Sequence, residues 1–147
     1  MLEWNPEYAS GSDLIDEQHK ELFKRVNSLL TACQEGHSRQ EVDIAVKFVE
    51  EYVVMHFATE EEYMEKYQYP QTADHKDQHN ELVESFLKMK ERLAHSKLLL
   101  PEVLSLHNFL VDWARLHTMK TDKELGAFLK AHNVDEELHA QRSNQNA

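Results

Sequence analysis

The stretch "HKDQH", residues 75–79, sets two imidazoles four residues apart in a segment with helical patterning. On a helix they share one face, about one turn apart. "HFATE" at 56–60 repeats that spacing with a histidine and a carboxylate, and His19 and His117 each stand on an apolar stripe. A lone histidine on such a stripe is more often a hydrogen-bonded core residue than a ligand. Here four stripes carry them: His19, then His56 with Glu60, then His75 with His79, then His117. Glu60 would be costly to bury alone, and no Lys or Arg stands beside it on the stripes, so it needs a cation. Asp122 follows His117 by five residues.

Five imidazoles and two carboxylates exceed the usual needs of one ion and suit two. The carboxylates can bridge and the imidazoles can take terminal positions. Such donors suit iron, and also manganese or zinc. With one bridging oxygen, two six-coordinate irons would fall one ligand short. A three-histidine iron would be filled, and a two-histidine iron would keep a position for a small molecule.

The elements that must position these groups are four helices. The first is expected from Ser12 or Asp13 to Gly36, on the stripe Ile15, Leu22, Phe23, Val26, Leu29, Leu30 and Cys33. The second opens on a capping box, Ser38 with Glu41, and breaks near Pro70. The third runs from about Thr72 to His95 or Ser96. The fourth starts near Pro101 and leads through Leu106, Leu110 and Trp113 to His117. "TDKELGAFLKAH" reads as a short terminal helix with Asp122 near its start. MLEWNPEYASGS reads as an ordered arm pinned by Trp4 and Tyr8. Short connections imply an all-α, antiparallel up-down-up-down four-helix bundle with an N-terminal arm and a short C-terminal helix. In that topology the helix ends bearing the candidate ligands meet at one end of the molecule. No internal repeat is evident. Residues 1–132 form the expected domain, and 133–147 a polar tail expected to fray.

Bulk composition narrows the function classes. One domain is expected from 147 residues, long enough to bury a core without disulfides. The formal charge of −11 disfavours nucleic acid and anionic membrane surfaces as partners. The single cysteine, Cys33, cannot form an internal disulfide. No signal peptide and no 18-residue apolar run are seen, so no membrane insertion is expected and the cytoplasm is the expected location.

The fragments "IDEQHKELF" (15–23), "HFATEEEYM" (56–64), "HKDQH" (75–79) and "WARLHTMKTD" (113–122) together resemble the hemerythrin family, in its single-domain bacteriohemerythrin form. The resemblance runs from Trp4 to about His132. It implies two iron ions with a bridging oxo or hydroxo group and no haem. His75, His79 and His117 would hold the filled iron, His19 and His56 the open one, and Glu60 and Asp122 would bridge. It also implies reversible dioxygen binding, for storage, delivery or scavenging, and not an enzyme. The oxygen pocket would involve Leu22, Phe57, Trp113, Ala114 and Thr118. At the last two positions the family usually carries large aliphatic residues. Ala114 and Thr118 therefore read either as easier entry for water and faster autoxidation, or as space refilled by neighbours.

Two other function classes compete. One is an oxygen or redox sensor read by a protein partner of unknown identity. The other is an enzyme turning over peroxide or nitric oxide at the open iron. A zinc site would be colourless and indifferent to oxygen. His37, His95, His107, His132 and His139 are expected on the surface. Glu136 with His139 makes an isolated E-x-x-H in the tail.

Overall fold

The computed structural model of the chain describes residues 2–36, 38–97 and 99–134. Among these it is all-helical. A short 3-10 turn, Pro6–Tyr8, precedes α1 (Asp13–Gln34), α2 (Arg39–Lys66), α3 (Thr72–His95) and α4 (Leu99–Leu116). A π-helical turn, His117–Asp122, then joins α4 to α5 (Lys123–Ala131). α1 packs against α2 and α4, and α3 against the same two, which closes the four-helix square. No helix among the described residues is long and apolar enough to cross a membrane.

Local signals account for the helix limits. Ser12 turns its hydroxyl to the Ile15 amide at the start of α1. At α2, Ser38 and Glu41 complete a reciprocal capping box. α2 ends where Gln68 adopts a positive φ of 55° and Tyr69 N–H returns to the Met64 carbonyl at 2.8 Å. α4 begins two residues before Pro101, so the proline falls in the first turn, where its missing N–H costs nothing. Arg39 closes the far end by donating to the carbonyls of Leu93 and Ser96 at the end of α3.

Two apolar clusters follow. The larger fills the bundle with Phe23, Val26, Leu29, Val49, Val53, Leu82, Phe86, Leu106 and Leu110. The smaller joins Ile15, Met64, Tyr69, Leu125, Leu129 and Val134. On α1, α2 and from α4 into α5 the candidate ligands fall between them: Ile15–His19–Leu22 on α1, Val53–His56–Glu60–Met64 on α2, and Leu110–His117–Asp122–Leu125 through the π turn. The polar layer is thus sealed on both sides. Each buried large aliphatic side chain in these walls contributes about 1.5–3 kcal/mol.

The arm is held by Tyr8, edge-on to Phe23 at 5.3 Å, and by Asn27, whose side chain bonds both the N–H and the carbonyl of Leu2. It also lies directly on α5 at Gly126, where a Cβ would stand 2.3 Å from the Ser10 carbonyl oxygen. Gly126→Ala is therefore expected to displace the arm and cost about 2 kcal/mol in urea unfolding. Gly36→Ala, at a φ of 75° with open space around it, should cost about half as much, from backbone strain alone.

Val134 is buried against α5 and Ile15, so the packed chain reaches that residue. Residues 135–147, with Glu136 and His139, and also His37, lie outside the described residues.

Candidate metal centre

All seven candidate ligands are buried and converge. His19, His56, Glu60, His75 and Asp122 are each 1% exposed, His79 2% and His117 4%. Their donor atoms fall into two groups: Glu60, His75, His79, His117 and Asp122, and His19, His56 and Asp122. Within each group the atoms lie within 4.8 Å of one another.

The two carboxylates divide themselves between the groups. Asp122 Oδ2 is 2.8 Å from His19 Nε2, while its Oδ1 is 3.1 Å from His75 Nε2 and 3.0 Å from His117 Nε2. Glu60 Oε1 is 3.0 Å from His56 Nε2 and 3.4 Å from His79 Nε2, and its Oε2 is 3.6 Å from His75 Nε2. These separations are short, yet both oxygens of Glu60 and Asp122 and the Nε2 atoms of His19, His75, His79 and His117 lack an aligned hydrogen bond. Buried polar groups are normally paired. Here they gather into two clusters of donor atoms that share Asp122, so the donor set fits metal binding.

The π turn is what brings Asp122 in. Five residues along an α-helix rotate a side chain by roughly 140° from its starting face. His56 and Glu60, four apart on α2, avoid that rotation. His117 and Asp122, five apart, share a face because the segment between them is wound with i→i+5 bonds. The spacing H-x4-D looks irregular on an α-helix template, so the expected short helix at Asp122 missed this winding.

Two glutamines orient the ring. Gln18 Oε1 accepts from His56 Nδ1 at 2.7 Å, and Gln78 Oε1 accepts from His117 Nδ1 at 2.9 Å and from the Thr121 hydroxyl at 2.8 Å. Gln78 Nε2 donates to Asp74 at 3.1 Å, which fixes which amide atom faces His117. An amide oxygen only accepts, so both imidazoles carry hydrogen on Nδ1 and turn Nε2 to the centre. His79 Nδ1 faces Glu61 at the longer distance of 3.8 Å. Each glutamine directly precedes a candidate ligand, in Gln18-His19 and Gln78-His79, and reaches across to the next helix. The α1–α2 and α3–α4 pairs thus carry matching Gln-His and His…carboxylate units, a relation hidden in the sequence by the extra residue in the π turn.

Charge among these side chains follows from their geometry. Burial and Asp122 both raise the Glu60 pKa, but His56 and His75 outweigh them and hold it below the usual carboxylate range. Burial likewise raises Asp122, and His117 and His19 bring it far down. Burial lowers His75, but Asp122 and Glu60 lift it to about 9. His56 is raised in the same way, against its burial, by Glu60. His79 is lowered, chiefly by burial.

Two of the expected pocket residues stack on this layer. Phe57 stacks on His79 at 3.8 Å between ring centroids, and Trp113 on His117 at 4.1 Å. Both aromatics therefore wall the three-histidine group. Leu22, Ala114 and Thr118 are buried.

One expected surface histidine is not on the surface. His107 is 4% exposed, and burial lowers its pKa. It stands four residues from both Val103 and Val111, a spacing that marks it as part of the buried face of α4. His95 and His132 are exposed, as expected.

A four-helix bundle closed around a carboxylate-bridged pair of histidine groups is a non-haem metal-binding fold. The hemerythrin HHE cation-binding domain matches residues 10–137. The chain is 30% identical over 132 residues to the bacteriohemerythrin of Methylococcus capsulatus, covering 89% of this chain and 98% of that protein. It is also 30% identical over 132 residues to the bacteriohemerythrin of Stenotrophomonas maltophilia, covering 90% and 84%. The crystal structure of a wild-type hemerythrin superposes with a TM-score of 0.79 at 29% identity, over 88% of this chain and 98% of that one. The chain belongs to the hemerythrin family.

Proposed function

We propose that this protein binds dioxygen reversibly at a carboxylate-bridged pair of irons, for storage, delivery or scavenging. The observation that carries the reading is the division of Asp122, with one oxygen toward His19 and the other toward His75 and His117. In this assignment His75, His79 and His117 would hold one ion and His19 and His56 the other, which would keep a free position. Glu60 and Asp122 would be shared between them, with an oxo or hydroxo group completing the cofactor. An iron pair held there would supply one electron from each ion to dioxygen and take both back on release. The chain's part is to fix the imidazoles through Gln18 and Gln78 and to keep water out with two apolar walls. Leu22, Ala114 and Thr118 would border the free position.

The deciding experiment is anaerobic reduction of the iron-loaded protein followed by oxygen, watched by visible absorption. A new charge-transfer band that disappears on deoxygenation is the expected result. A colourless protein would sink the di-iron reading. Immediate conversion to a stable oxidised form would instead favour a redox sensor or a peroxide- or nitric oxide-processing enzyme. Ala114→Leu adds bulk beside the free position and should exclude water better. The oxygenated band of that variant is expected to decay about three- to tenfold more slowly, a change of at most ~1.4 kcal/mol in barrier.

A further inference from the structure

Outside the seven candidate ligands, two chains of contacts lead from the centre to the surface, one from His117 through Gln78 to Asp74 and one from His56 through Gln18. His56 Nδ1 donates to Gln18 Oε1 at 2.7 Å, and Gln18 Nε2 stands 3.8 Å from the sulfur of Met55. Met55 is 40% exposed. The Thr59 hydroxyl donates to the Met55 carbonyl at 3.0 Å and lies 3.6 Å from the same sulfur. A thioether is a weak acceptor, so this sulfur holds the Gln18 amide loosely. A sulfoxide oxygen is a strong one and would project toward donors already in place.

We propose that Met55 is a peroxide-oxidisable modification site whose sulfoxide is read at the metal centre through Gln18 and His56. The oxidant is hydrogen peroxide. Its O–O bond breaks, one oxygen bonds to the Met55 sulfur, and the other leaves as water. The sulfur loses two electrons and the peroxide gains them. The source of peroxide within the protein rests on the dioxygen reading: an iron pair held there would supply two electrons, and dioxygen leaving with both of them and two protons would leave as hydrogen peroxide. A build-up of spent protein would then mark its own surface.

The consequence is local. With its Nε2 gripped by the sulfoxide, the Gln18 amide loses freedom and its oxygen becomes a better acceptor for His56 Nδ1–H. The imidazole is then held more firmly on its Nε2 side, toward Glu60. Outer partners of ligand histidines commonly change metal retention by about 10–100-fold. Strengthening one such bond, without making or deleting it, should act at the low end, about fivefold.

The test adds peroxide directly to zinc-loaded protein, since zinc transfers no electrons. Peptide mass spectrometry follows Met55 against Met119, which is comparably exposed at 45%. Nitrogen-15 NMR follows the His56 Nδ1–H signal, in the zinc-loaded and the metal-free protein alike, and a chelator reports zinc loss. The expected result is sulfoxide at Met55 no later than at Met119, a downfield move of the His56 signal, and about fivefold slower zinc loss. Met55→Leu should remove the whole response. Gln18→Leu should keep the sulfoxide and lose the NMR shift. The proposal is overturned by an unmoved signal once Met55 is oxidised, by the same movement in Met55→Leu, or by a Met55 that stays a thioether while Met119 reacts. None of these outcomes depends on whether the iron protein binds oxygen.

Discussion

Asp122→Ala is expected to empty both halves of the metal centre, whereas His19→Ala should empty only one. Asp122 offers one oxygen to His19 and the other to His75 and His117, so its removal strips a donor from each group. It also leaves the three imidazoles around a buried void with one carboxylate, Glu60, to balance two cations. Two ions without their second bridging anion would repel across a dry interior, where charge is poorly screened. His19 serves only the smaller group. Without it, His75, His79, His117, Glu60 and Asp122 still surround one ion. Metal analysis after iron loading should therefore give about two irons per chain for the unaltered protein, about one for His19→Ala and close to none for Asp122→Ala. Equal iron in the two variants would mean that Asp122 does not bridge. Because Asp122 also ends the π turn, Asp122→Asn supplies the control for a change of backbone. It keeps shape and loses charge, and its iron content should fall with that of the alanine variant.

Much of this site is legible in the chain because helical spacing and stripe position are local properties. His56 with Glu60, and His75 with His79, declare a shared face by their separation alone. His19 and His117 declare theirs by lying in line with Leu22 and Leu110. The convergence of all four follows from antiparallel topology, which the short connections dictate. What escapes is whatever depends on backbone winding or on reach between helices. The His117–Asp122 pair needs a π turn, and no residue between them announces one. Gln18 and Gln78 sit beside ligands, yet their work is done on His56 and His117 across a helix boundary. His107 lies off the stripe Leu106, Leu110 and Trp113, yet it shares with Val103 and Val111, four residues to either side, a second buried line on α4 that the stripe does not include. The wall at the outer end of the site also needed the fold, since Tyr69, Leu125 and Val134 meet only in three dimensions.

Removing the metal should make the protein's stability strongly dependent on pH in a direction that loading reverses. In the metal-free site the His75 pKa is lifted from 6.5 to about 9 by Asp122 and Glu60, against its burial. A group raised on folding stabilises fully below its unfolded value, and that contribution drains away as pH climbs through the folded one. The loss therefore runs from about pH 6.5 to about pH 9, and His56, raised in the same sense, adds to it. For His75 the shift corresponds to on the order of 3 kcal/mol. Glu60 and Asp122 are lowered, so their contribution is present above the ordinary carboxylate range and fails as pH falls into it. His79, pushed down by burial, works against stability below about pH 6.5. The metal-free bundle should thus be firmest between about pH 5 and 6.5 and soften toward alkaline pH. Metal held by these Nε2 atoms would compete with the protons they carry, so its binding should strengthen as protons leave. For a chain of this size, 1 kcal/mol moves the melting temperature by about 2–4 °C. The gap in melting temperature between loaded and metal-free protein should therefore widen by roughly 10 °C from pH 6 to pH 9. Parallel melting curves across that range would mean that the imidazoles are not charged against Glu60 and Asp122 in the empty site. His75→Gln offers a finer check: with no proton to lose there, its metal-free form should show a flatter alkaline limb.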